Sequence, residues 1–205
     1  MKKKLKLLRY RISILSAALM MLAISGALFC SCDDMETKDK RFNFIGDSLI
    51  ARWPLDEDFP SLMVYNYGLS GAGVGYLAEY EGRFIGQDVV VMIGTNDYRR
   101  FYSDNIDEYI ALYLNTISRL SDGNIYLYSV LPRDYEGDPE DVNAKISSFN
   151  EKVKASLTAF PNIRYLDVYD DFLYKDHLNY QLYSDGLHLT TYGYQVLSYK
   201  LNSAL

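Results

Sequence analysis

Residues 42–53, "FNFIGDSLIARW", end a short apolar run on Gly46, Asp47 and Ser48. All three are good turn formers, so a plain turn is their simplest use. Ser48 gains a chemical use only if a base can reach it, and the chain holds two histidines. His188, in "SDGLHLTTYGY", has Asp185 three residues ahead, whereas His177, in "LYKDHLNY", has Tyr174 at the matching place. An aspartate at that spacing can curl back on a tight turn, accept the imidazole Nδ1 proton and leave Nε2 facing a serine. Ser48, His188 and Asp185 are therefore the candidates for nucleophilic chemistry. His177 reads as a surface or loop residue.

Such residues must be carried by elements that bring them together. "RFNFIG", "SLMVYNYG", "QDVVVMIG", "NIYLYSVLP" and "NIRYLDVYD" read as five strands, several near-continuously apolar as in a parallel sheet buried on both faces. Between and after them, "AGVGYLAEYEGRF", "NIDEYIALYLNTISRL", "PEDVNAKISSFNEKVKASLTAF" and "TTYGYQVLSYKLNSAL" read as helices. Strict alternation implies an α/β fold, a three-layer α/β/α sandwich around a central five-stranded parallel sheet with right-handed crossovers. Ligands in such sheets sit at the carboxyl ends of the strands. Strand one ends at Gly46-Asp47-Ser48-Leu49, strand two runs into "NYGLSG" and strand three ends at "GTND", so these loops are expected to share one cleft.

Other features are read more plainly. Asp97 is expected to bond its own loop backbone, and Arg99 and Arg100 to belong to a solvated loop. The 20 tyrosines are read mostly as residues of half-wet strand and helix edges, with about a quarter at most near a ligand cleft.

The chain of 205 residues, 49% of them hydrophobic, is sized for one domain with a real core. Its first stretch is set apart. "MKKKLKLLRYR" is basic without an acid, and "ISILSAALMMLAISGALF" follows without a charge, which is the pattern of an export signal. "LFCSCDDMETKDK" then resembles a bacterial lipoprotein signal, with small Ser31 before Cys32 and bulky Phe29 before Cys30. That resemblance implies a signal over 1–31, lipidation of Cys32, a polar tether over 32–40 and a globular domain over 41–205. The acids Asp33, Asp34 and Glu36 hint at sorting to the cell surface. The partner expected from that resemblance is a membrane, through the lipid anchor. Removing the signal's six basic residues leaves 15 Lys and Arg against 27 acids, which disfavours nucleic acid as a partner. No cysteine lies beyond Cys32, so no disulfide is expected to staple the domain.

"FIGDSL", "NYGLSG", "GTND" and "DGLH", in this order, resemble the four blocks of the SGNH, or GDSL, hydrolases, and the resemblance spans the chain from about Arg41 to its end. It implies a flavodoxin-like fold with Ser48 as nucleophile and Asp185 and His188 as its triad partners. Backbone N–H groups of Ser48 and Gly71 and the side-chain amide of Asn96 are implied as oxyanion donors. It implies no cofactor, and two separated histidines suggest no metal. The leading function is an exported, lipid-anchored esterase removing small acyl groups, acetyl foremost, from carbohydrate. The alternatives are a lysophospholipase or acyl thioesterase for longer chains, an acyltransferase, and a glycan-binding lipoprotein without turnover.

Overall fold

A computed structural model describes residues 41–205. The expected signal, the lipidation site Cys32 and the tether lie outside the described residues. Five parallel strands form the sheet: β1 (Arg41–Gly46), β2 (Met63–Gly68), β3 (Asp88–Met92), β4 (Ile125–Tyr128) and β5 (Ile163–Leu166), in spatial order β2-β1-β3-β4-β5. The chain starts in the middle, steps to one edge and then crosses back over β1. Strand order therefore reverses between β1 and β3, which is where an open α/β sheet forms its crevice.

Alternation along the strands sorts the core into two layers. Phe42, Phe44, Val90, Met92, Tyr126 and Tyr128 face one side, and Ile45, Val89, Val91, Ile125 and Leu127 the other. On the first side lie the short helices α1 (Ser48–Ala51) and α2 (Leu55–Asp58), whose Ile50 and Leu55 join Leu197 and Leu201 of α5 (Thr191–Asn202). On the second side lie α3 (Ile106–Ser118) and α4 (Val142–Ser156), which bury Ile110, Leu114, Phe149 and Val153. The three-layer α/β/α sandwich read from the sequence is the observed fold.

The stretch 72–84 holds the short helix read from the sequence, of the 3₁₀ kind over Val74–Tyr80, where Gly73 and Gly75 weaken an α-turn and the Asp97 carboxylate takes the Val74 N–H at 2.8 Å. Two local readings are corrected. The segment after β3 is likewise a 3₁₀ helix, Thr95–Tyr102, and not an irregular loop, although Arg99 and Arg100 are exposed on it as expected. β2 is an edge strand whose Met63 and Tyr65 face solvent, so its apolar look reflects half burial.

Most described tyrosines are partly or fully exposed, as expected, and a minority belong to the core. Tyr113, Tyr128, Tyr183 and Tyr194 are buried, and each donates its hydroxyl to a backbone carbonyl, of Ile93, Leu197, Pro132 and Leu49 respectively. A phenol fills core volume while its hydroxyl is satisfied by a main-chain carbonyl. Two of these bonds, from Tyr128 and Tyr194, pin α5 against β4 and α1.

Candidate active site

Ser48 is the first residue of α1 and only 5% exposed. Asp47 caps this helix, its Oδ1 accepting the Leu49 N–H at 2.9 Å. The cap leaves the Ser48 N–H at the helix start, where no intrahelical acceptor exists. Parallel register aligns Gly46 with Gly68 on one side and with Met92 on the other, so the ends of β1, β2 and β3 stand side by side. Leu69 N–H donates to Gly46 O at 2.9 Å and Asp47 N–H to Met92 O at 3.3 Å, which ties the three loops together beyond the strands.

Gly71 and Asn96 extend from those neighbouring strand ends. Gly71 has φ +80° with open space where a side chain would stand, a conformation that costs glycine nothing. Asn96 donates one amide N–H to Ala72 O at 2.9 Å, binding the two loops to each other. A primary amide has two N–H donors, so one remains for a ligand.

His188 reaches Ser48 from the other end of the chain. Its Nε2 lies 3.1 Å from Ser48 Oγ, and its Nδ1 lies 2.6 Å from Asp185 Oδ2. Asp185 Oδ1 also accepts the backbone N–H of His188 at 2.7 Å and of Leu187 at 3.0 Å, so one carboxylate both shapes the turn and orients the ring. Gly186 completes this turn at φ +80°, with its missing Cβ only 2.0 Å from Asp134 O. Burial would raise the Asp185 pKa, but the ring bond to His188, the two backbone N–H groups and the nearby His188 charge outweigh it and hold the carboxyl below its usual range. The structure thus brings Ser48, His188 and Asp185 into one hydrogen-bonded line, sets Gly71 and Asn96 on adjoining loops, and leaves His177 exposed in the small β6 (Leu173–Tyr174) and β7 (His177–Leu178) hairpin.

Buried charge surrounds this line in a way the sequence motifs did not announce. Asp47 is fully buried, its Oδ2 has no hydrogen-bond partner, and burial pushes its carboxyl up to about 7; neighbouring Asp97 adds to the rise, while the Leu49 N–H and Arg133 oppose it. Asp97 is not the self-bonded loop residue expected, because its carboxylate reaches across to the Val74 N–H. Arg133, just past β4, is 5% exposed and paired with equally buried Asp138 at 2.8 Å. The signal available in the sequence was positional only: Pro132-Arg133 follows the fourth strand and so faces the same sheet end. Among the described residues, no group of three or more His, Cys, Asp or Glu side chains is gathered as a metal site requires.

Known proteins resemble this chain in sequence and in fold. The model of the GDSL-like lipase/acylhydrolase family matches residues 44–196. The platelet-activating factor acetylhydrolase IB subunit alpha2 of Gallus gallus is 30% identical over 176 residues, spanning 77% of this chain and 72% of that protein. A GDSL-like lipase from Bacteroides thetaiotaomicron superposes with a TM-score of 0.64 at 22% identity, covering 90% of this chain and 95% of its own. Axe2, an acetylxylan esterase from Geobacillus stearothermophilus, superposes at 0.57 with 20% identity, covering 81% and 94%. The family model spans most of the chain, and the chain belongs to the GDSL-like lipase/acylhydrolase family, as a hydrolase acting on ester bonds.

Proposed function

We propose that this protein is a serine esterase for small acyl groups, acetyl foremost, carried on carbohydrate, and that it works at the cell envelope from a lipid anchor on Cys32. The observation that carries the catalytic reading is the unbroken chain from Asp185 through His188 to Ser48, at 2.6 and 3.1 Å. His188 takes the hydroxyl proton as Ser48 Oγ attacks the ester carbonyl, and Asp185 stabilises the imidazolium that forms. The N–H groups of Ser48 and Gly71 and the free amide N–H of Asn96 receive the oxyanion. Collapse expels the alcohol with the proton from His188, and water then attacks the acyl-enzyme with the same base assisting.

The acyl preference draws on the acetylhydrolase relative. The carbohydrate draws on exposed Tyr180, whose hydroxyl donates to Asp134 beside the His188 turn, since such rings suit surfaces that are part apolar and part wet. Axe2 shares the fold, and its xylan substrate is only one member of the class proposed.

Turnover of aryl esters from acetate to palmitate, with Ser48→Ala alongside, tests the reading. Fast acetate cleavage that vanishes in the variant and declines by butyrate supports it. A preference for long chains moves the assignment to lipid or thioester substrates, and equal rates in both proteins remove Ser48 from the chemistry.

A further inference from the structure

Arg133 stands where the two halves of the site meet. Its Nε and Nη2 bind both oxygens of Asp138 at 2.8 Å, while Nη1 donates to Thr95 O at 2.8 Å and Thr95 Oγ1 at 3.2 Å. The guanidinium also lies 4.6 Å from the Tyr98 ring centre. It therefore grips the oxyanion-side loop on both flanks of Asn96. Its own backbone is fixed in turn, because Asn143 of α4 accepts the Arg133 N–H and donates to the Arg133 carbonyl, each at 2.8 Å. The next residue, Asp134, donates its N–H to Gly186 O at 2.9 Å, inside the turn between Asp185 and His188.

Stability alone is a poor reason for this construction. A buried ion pair gains little over apolar residues of similar volume, because desolvation offsets the attraction. Directional bonds to one backbone carbonyl and its hydroxyl give something that apolar packing does not, a fixed orientation for the loop they hold.

We propose that Arg133 is a positioning residue for ester hydrolysis: by holding Thr95 it keeps the free amide N–H of Asn96 aimed at the oxyanion, and through Asp134 it registers that loop against the turn carrying His188. The inference rests on the assignment of Ser48, His188 and Asn96 above. Arg133 itself touches no reacting atom.

The test is a double-mutant cycle in the full chain, purified in detergent, using an aryl acetate. Arg133→Met combined with Asp138→Leu removes both charges and leaves neither partner orphaned, and Arg133→Lys keeps a charge without the planar fork. Expected for both is a kcat lower by about tenfold or more with KM within about twofold, as for loss of an interaction made in the transition state. Asn96→Ala, expected to cost about 10²–10³ in the parent, should then cost less in these backgrounds by about the factor each background has itself lost, because its donor is already misaimed. Thermal unfolding establishes that each protein assayed is folded, and Arg133→Lys alone decides if the double replacement does not fold. A folded variant with kcat within twofold of the parent, or an Asn96→Ala penalty of the same size in every background, overturns the proposal. Retained activity in Ser48→Ala would instead overturn the underlying assignment, whatever Arg133 does.

Discussion

At the residue scale, each nitrogen of His188 has one partner, and each oxygen of Asp185 a separate duty. Asp185→Asn keeps an oxygen able to accept the Leu187 and His188 N–H groups but no longer favours the ring tautomer that serves Ser48. We expect kcat to fall by about 10⁴ with little change in melting temperature, read from initial rates and thermal unfolding of the same preparation. Asp47 gives a prediction of the opposite kind, in stability rather than rate. Its carboxyl is raised in the folded state from 3.8 to about 7, so the native protein binds a proton that the unfolded chain has released across that window. Stability from this group is full below the lower value and is lost as pH rises through the upper one, by an amount on the order of a few kcal/mol. Asp185, held low, acts the other way: its contribution is present above its unfolded pKa and lost as pH falls through the depressed value. Denaturant unfolding of parent and Asp47→Asn between pH 4 and 8 isolates the first effect. The parent should lose stability relative to the variant as pH rises, and parallel curves would count against a raised Asp47.

At the scale of elements, the site depends on α5 and the loop after β4 being docked where they are. Gly186→Ala places a methyl against Asp134 O at a backbone angle that L-residues avoid, so the Asp134–Gly186 pairing must open. The expected cost is about 1–3 kcal/mol in unfolding free energy, with a further drop in kcat because the His188 turn moves. Unchanged kcat in a destabilised protein would show that the turn holds its place without that pairing. Strands β1, β3 and β4 were legible because their apolar runs are short, β-branched or aromatic, and bounded by turn residues. Ser48, Asp185 and His188 were legible because their spacing is local or lies at strand ends. Arg133 was not, since its partner Thr95 becomes a neighbour only in the folded chain, and a lone arginine after a strand has no period to betray burial. The buried minority of the tyrosines was hidden for a related reason: sequence gives the amphipathic ring but not the carbonyl its hydroxyl will meet. The helix Val74–Tyr80 was legible as a helix but not as a 3₁₀ one, because the sequence does not register the hold of Asp97 on Val74.

At the scale of the whole molecule, both core layers and all the site residues lie within 41–205, and no cysteine does. The segment from Arg41 should therefore unfold in one cooperative transition that reductant leaves unmoved, and should cleave a soluble aryl acetate with the kcat of the full chain in detergent. A much slower segment would mean that the first forty residues contribute to catalysis rather than to location. Equal rates would leave the lipid anchor proposed on Cys32 to govern only where the enzyme meets its ester.

The role of Ser48 is tested most directly by quenching the protein during turnover of an aryl acetate and mapping the peptides by mass. Expected is a burst of phenol stoichiometric with enzyme and an acetyl group on Ser48, both lost in Ser48→Ala. Steady turnover with neither burst nor adduct, persisting in Ser48→Ala, would contradict the assignment of Ser48 as nucleophile.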